Sequence, residues 1–290
     1  MTLRARAELA LVAAAMLWGS TFVVVKDALA DASPILYLAI RFAVAALLLL
    51  PIVFLQERRM PSRRMLWGGL ATGACLGVGM ILQTVGLKYT SASNSGFLTS
   101  LYIPLVPFVA SAVYGVRTGW RERIAVGLAS CGIALMSFDP SSFTMNFGDG
   151  LTVGCALVFS VQIVMVKHFA DTGETAWLAW LQVSATAILA SIAAFLRLDG
   201  PSYLVMTPRL YWAFAITILG ATVVAFLLQS WGQRQTSASR AALVFATEPV
   251  FAGIASYFYL DERLSARAWI GAALVFTGVL LAELKPRGER

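Results

Sequence analysis

Ten long apolar runs, separated by short polar or turn-rich breaks, take up almost the whole chain. They lie near residues 8–29, 34–56, 66–88, 94–116, 122–138, 150–170, 176–196, 209–232, 240–260 and 266–284. A helix needs about 20 mostly apolar residues to cross the hydrocarbon core of a bilayer, so ten such helices use roughly 200 residues. In a chain of 290 the remainder makes only short loops, without room for a separate soluble domain. Composition gives the same answer: 59% of residues are hydrophobic and 13% charged, against about 25% charged in soluble domains. One soluble core of this size could not bury so much apolar surface, and disordered chains are polar rather than apolar. The expected fold class is an all-α integral membrane protein with ten transmembrane helices.

The breaks carry recognisable signals. Asp31-Ala32-Ser33-Pro34 offers a cap and an N1 proline to the second helix. Pro140-Ser141-Ser142 and Asp199-Gly200-Pro201 read as turns. Arg4 and Arg6 before the first run imitate a secretory signal, but the run is long and many more follow, so it is read as a retained first span. Ten spans put both termini on one side. With the N-terminus inside, fifteen of the 22 Lys and Arg fall in or beside inner loops, six beside outer ones, and Arg41 lies within a helix. That bias places both termini in the cytoplasm and the chain, multi-pass, in the plasma (bacterial inner) membrane. It also accounts for the net charge of +7 without a nucleic-acid partner. Cys75, Cys131 and Cys155 are isolated in apolar runs and read as packing residues. With His168 as the single histidine, no metal site or cofactor is expected.

The segment from Leu82 to Ser93, Leu-Gln-Thr-Val-Gly-Leu-Lys-Tyr-Thr-Ser-Ala-Ser, recurs 146 residues later from Leu228 to Ser239, with seven of twelve positions identical. Lys26 after Val-Val-Val likewise resembles Lys167 after Val-Met-Val, and Pro104 resembles Pro249 with a one-residue slip. The chain therefore reads as two halves, 1–140 and 148–285, of five helices each. Because five is odd, the second half enters the bilayer upside down relative to the first. Inverted repeats of this kind mark secondary transporters, with the substrate site near the midplane between the halves.

At these residues the sequence resembles the drug/metabolite transporter superfamily, EamA-type branch. The resemblance rests on Trp18-Gly19-Ser20-Thr21-Phe22-Val23-Val24-Val25-Lys26, on Pro34 and Arg41 in helix two, and on the repeated Thr-Ser-Ala-Ser turns. The prolines of helices four and nine and Glu262-Arg263 before the last helix complete it. It covers nearly the whole chain and departs at Arg117, which stands where the second half has Glu262. The resemblance implies a secondary carrier that exports amino acids or related small metabolites.

Several residues are candidates for the site. Glu248 is the only carboxylate deep within a span, where an acid must face a partner or a water-filled cavity; it is read either as a contact for a substrate amine or a proton, or as a hydrogen-bonding partner for the Pro249 break. Gln83 and Gln229 match under the repeat, and Gln162 falls where the first half has Thr21. These four read as cavity lining or as interhelical hydrogen-bonding groups. Trp18 and Tyr102 are deep aromatics suited to stacking on a substrate, ahead of Trp180 and Trp231. Arg41 and Lys26 read as salt-bridging or gating residues with Asp27 and Asp31 as partners. Pro104, Pro107 and Pro249 read as helix breaks at the site or its gates. Gly69, Gly73 and Gly77 form a small-residue ridge that reads mainly as static packing.

A membrane enzyme is disfavoured because H-E-x-x-H and G-x-S-x-G are both missing, and a channel because nothing resembles a carbonyl filter or a ring of charges. A sugar-nucleotide carrier would need several cavity cations, and only Arg41 qualifies; a proton-coupled drug or organic-cation carrier is the other alternative. The expectation is a monomeric exporter of amino acids, aromatic ones included, working by alternating access. Its cavity would be lined by helices one, three, four, six, eight and nine.

Overall fold

The computed structural model describes residues 2–116, 118–137, 145–260 and 266–283, the side chains of Ser93, Ser256 and Leu260 apart. Arg117, Pro140, Glu262 and Arg263, used above, lie outside the described residues. The chain is all-helical apart from one isolated bridge, Ala32 to Leu204, among the described residues. The helices are α1 (Leu3–Ala28), α2 (Pro34–Gln56), α3 (Arg63–Tyr89), α4 (Ala92–Thr99), α5 (Tyr102–Tyr114), α6 (Trp120–Ser137), α7 (Phe147–Ala170), α8 (Thr175–Phe195) and α9 (Pro208–Ala215). A π-helical segment (Ile216–Val224) follows, and then α10 (Ala225–Arg234), α11 (Ala238–Phe245), α12 (Glu248–Leu260) and α13 (Ala266–Glu283). Joining α4 with α5, α9 with the π segment and α10, and α11 with α12 gives ten membrane-crossing units in two inverted five-unit halves. Eight of the ten satisfy length and hydropathy for a span, and the apolar Ala266–Ala282 is somewhat shorter.

Local chemistry explains the starts. Ser62, Thr207, Ser91 and Ser237 are N-caps whose hydroxyls accept from the backbone N–H three residues on. A side-chain oxygen there satisfies an amide that the helix itself cannot. The repeated Thr-Ser-Ala-Ser is thus a helix-start signal used once in each half. Asn146 and Asp149 form a reciprocal capping box at the start of α7.

Spans four and nine are broken at matching places, after Thr99 and after Phe245. Pro104 and Pro249 cannot donate to the carbonyls of Ser100 and Phe245, and their rings crowd those carbonyls. The breaks therefore fall a few residues before the prolines. Pro107, expected as a further break, sits inside a continuous α5. Span eight holds a feature the periodicity did not reveal, its nine-residue π segment, while its counterpart α3 is α-helical throughout.

Matching ties recur within each half: Lys26 donates to the carbonyls of Leu87 (2.6 Å) and Thr90 (2.8 Å) at the end of α3, and its repeat counterpart Lys167 donates to Arg234 O (3.0 Å) at the end of α10. The two halves are tied to each other at both faces. On the N-terminal face, Glu174 accepts from the backbone and hydroxyl of Ser62. On the opposite face Asp31 takes a two-pronged contact from Arg209 (2.8 and 2.7 Å) and a hydrogen bond from Thr207. Those contacts, with Arg209 foremost, hold the Asp31 carboxyl below its ordinary range. A carboxyl depressed in the folded state stabilises above its unfolded pKa, near 4, and loses that contribution as pH falls through the folded value. Thermal unfolding in detergent is expected to show the wild type losing stability below about pH 4. Asp31→Asn should start a few degrees lower and lose less on acidification; equal slopes for the two proteins would refute this latch.

Candidate functional site

One cavity gathers side chains from both halves. It is lined by Trp18, Thr21, Phe22 and Val25 of α1, by Arg41 of α2, and by Leu76, Met80, Gln83, Thr84 and Leu87 of α3. Thr99 of α4 and Tyr102 of α5 complete the first half. The second contributes Phe159, Gln162 and Ile163 of α7, Phe226 and Gln229 of α10, Phe245 of α11 and Glu248 of α12. Trp18, Thr21, Gln83, Tyr102, Gln162, Gln229 and Glu248 therefore surround one space, and Arg41 joins them. Pro104, Pro107 and Pro249 do not line it. Trp180 donates its indole N–H to Ala46 O instead (3.0 Å).

The repeat explains the convergence. Tyr102 and Glu248 stand 146 residues apart, each the first residue after its helix break. Trp18 and Phe159, Thr21 and Gln162, Met80 and Phe226, Gln83 and Gln229, and Thr99 and Phe245 are further counterpart pairs in the lining. Of these pairs only the two glutamines are identical, and Tyr102–Glu248, Thr21–Gln162 and Thr99–Phe245 differ in chemistry, so a symmetric scaffold encloses an asymmetric site.

The polar contacts are specific. Tyr102 donates its hydroxyl to Glu248 Oε2 at 3.3 Å, and both residues are buried. Gln83 donates to Thr99 Oγ1 (3.1 Å). Gln162 donates to Gln182 (2.7 Å), and Gln233 donates to Ile163 O (3.1 Å), tying α7 to α8 and α10. Gln229 is buried with its carbonyl oxygen lacking a partner among the described residues. Trp18 packs between the rings of Phe226 and Phe245, with centroids 5.5 and 5.3 Å away, and its indole N–H donates to Ala221 O (2.9 Å).

Arg41 departs from expectation. Among the described residues it forms no salt bridge with Asp27 or Asp31, because Arg209 takes both acids at the membrane face. Its Nε donates instead to Thr222 Oγ1 (2.8 Å) and its Nη2 to Ala221 O (3.4 Å), both in the π segment. Lys26 likewise caps carbonyls and, among the described residues, pairs with no acid. Of the lining residues missed in the sequence, Phe159 follows from laying one half over the other, as the counterpart of Trp18, whereas Thr99 and Phe245, and Met80 and Phe226, are counterparts only of each other.

The cavity offers about 70 Å³ to the centres of water-sized molecules, room for several waters. Val25 and Leu87 lie near the ends of α1 and α3, so it leans toward the Asp31 face. No group of three or more His, Cys, Asp or Glu that could hold a metal occurs among the described residues.

Comparison with known proteins decides the family. The EamA-like transporter family matches residues 5–138 and again 146–284. The chain belongs to this family, within the drug/metabolite transporter superfamily. Among its EamA relatives is an "Uncharacterized transporter" of Archaeoglobus fulgidus, 36% identical over 97% of this chain and 87% of the relative. "Uncharacterized transporter YoaV" of Bacillus subtilis is 22% identical over 94% of this chain and 95% of its own length. A solved crystal structure at 18% identity superposes with a TM-score of 0.77 over 95% of this chain and 96% of the other, and so shares the fold. This EamA protein is a multi-pass membrane transporter.

Proposed function

We propose that this transporter exports small metabolites, amino acids foremost and aromatic ones included, as a monomer in the plasma membrane with both termini in the cytoplasm. The observation that carries the reading is the Tyr102–Glu248 pair: one carboxyl group, held by a phenol, on a small cavity lined, Arg41 apart, by aromatic, apolar and neutral polar groups. A carboxylate in such a setting suits a cargo ammonium, and the rings of Trp18, Phe226 and Phe245 suit an apolar or flat side chain. A phosphate-rich cargo would bring several negative charges to a cavity with one cation and one acid. Transport proceeds by alternating access. The inverted halves supply two related packings, and the broken spans four and nine are where bending concentrates.

The test is counterflow in proteoliposomes with a panel of labelled amino acids, with and without a pH gradient. Saturable exchange of at least one amino acid is expected. Exchange of amines or sugars with none of the amino acids would overturn the reading, and the gradient separates proton coupling from facilitated diffusion.

A further inference from the structure

Arg41 is a buried cation on the cavity wall, and among the described residues it meets neutral partners only. Of its five N–H groups, two are engaged, by Thr222 Oγ1 and Ala221 O. Its side chain is 5% exposed as a residue, and it lines the same space as Glu248. A charge buried without a counter-ion is costly and persists where something repays it. The two acids nearest in sequence, Asp27 and Asp31, are spent on Arg209. Glu248, for its part, accepts a hydrogen bond from Tyr102 and meets no cation among the described residues. One small cavity thus carries a guanidinium and a carboxyl group that are not paired with each other among the described residues.

We propose that Arg41 binds the carboxylate of the cargo, so that a zwitterion lies with its carboxylate on Arg41 and its ammonium on Glu248 and Tyr102. The inference rests on the amino-acid reading above and adds the orientation and the anion-binding group. The geometry fits. Thr222 accepts from Arg41 Nε while its own hydroxyl hydrogen goes to Thr217 O, five residues back (2.8 Å). The carbonyl of Ala221, in the π segment, accepts from both Arg41 and Trp18. Two acceptors therefore hold one part of the guanidinium and leave Nη1 to a ligand, whose planar carboxylate matches the planar fork.

The repeat argues against a merely structural arginine. The counterpart of Arg41 is Gln182, and that of Thr222 is Leu76. Gln182 does not line the cavity; it bonds Gln162 and Ser230. The half that holds the π segment supplies both anchors of the cation, Thr222 and the Ala221 carbonyl. The counterpart α3 is α-helical and has leucine where Thr222 stands.

The test uses the full-length protein in proteoliposomes. The best-exchanged amino acid of the labelled panel competes against its own decarboxylated amine and its own carboxamide. In the wild type both analogues should compete at least about tenfold more weakly than the parent, a difference of about 1.4 kcal/mol. In Arg41→Gln the parent should weaken by a similar factor while the amine is unchanged, and Thr222→Val should lie between. Equal competition by amine and parent in the wild type overturns the carboxylate site and leaves amino-acid export standing. That comparison needs no variant, so misfolding of Arg41→Gln does not spare the proposal. A second arm measures thermal stabilisation of purified protein by 3-phenylpropionate, a carboxylate without an ammonium. Stabilisation that vanishes in Arg41→Gln, with no amino acid exchanged, keeps the anion site and removes the amino-acid reading. No stabilisation in either protein and no discrimination among analogues removes both.

Discussion

Glu248→Gln is expected to cut exchange of a zwitterionic amino acid by about 30-fold or more. Truncating one partner of a buried, hydrogen-bonded charge pair costs roughly 2–5 kcal/mol, and the lower figure already corresponds to about 30-fold. The substitution keeps the shape of the side chain and an oxygen to accept from Tyr102, whose hydroxyl lies 3.3 Å from Glu248 Oε2. What it removes is the charge and the capacity to titrate. Two readouts follow. The apparent affinity for the amino acid should fall while that for its uncharged analogues does not, and the pH profile of the residual rate should be flat. Tyr102→Phe, which removes only the donated hydrogen bond, should cost less, about 1 kcal/mol. A Glu248→Gln protein that exchanges at the wild-type rate with the wild-type pH profile would take the carboxyl out of the mechanism.

How much of this was legible in the sequence follows from the physics of lipid. Apolar length sets the spans, because a backbone crossing hydrocarbon must satisfy itself as helix; hence α2 begins at Pro34 as read. The repeated Thr-Ser-Ala-Ser was legible because capping chemistry needs hydroxyls at one position, and Ser91 and Ser237 serve it in both halves. Polar and aromatic in-span residues such as Gln83 and Tyr102 stood out against an apolar background. Phe226 and Phe245 did not, since a ring facing lipid, a neighbouring helix or a cavity is the same letter, and lipid is as apolar as a core. The π segment carries no proline or charge to mark it. Closeness in sequence pairs Arg41 with Asp27 and Asp31, but its partners lie 180 and 181 residues away on span eight. Proximity in sequence was the wrong guide there; the asymmetry between Arg41 and Gln182 was the better one.

Gly73→Ala is expected to destabilise the protein although it adds a single methyl group. A Cβ at Gly73 would stand 2.8 Å from both the Cα and the carbonyl oxygen of Gln182, and 2.7 Å from Cβ of Ala185. Two of these atoms are backbone, so no side chain can swing aside, and α3 would have to move away from α8. Thr186 also donates to Gly73 O (3.2 Å), a contact that separation would stretch. Overpacking of this kind costs about 1–3 kcal/mol. Gly154→Ala is the matched control: its Cβ would meet only Leu82 Cδ1 at 3.6 Å, ordinary contact. Fluorescence-detected size exclusion after a heating series should show Gly73→Ala losing its monodisperse peak several degrees below wild type, with Gly154→Ala at or above it. Equal melting of the two alanine variants would mean that α3 and α8 do not approach as closely as described. The effect should reach function as well. Gln182, the residue pushed, holds Gln162 on the cavity wall at 2.7 Å, so the Gly73→Ala protein that survives below its melting point should also exchange cargo with weakened affinity.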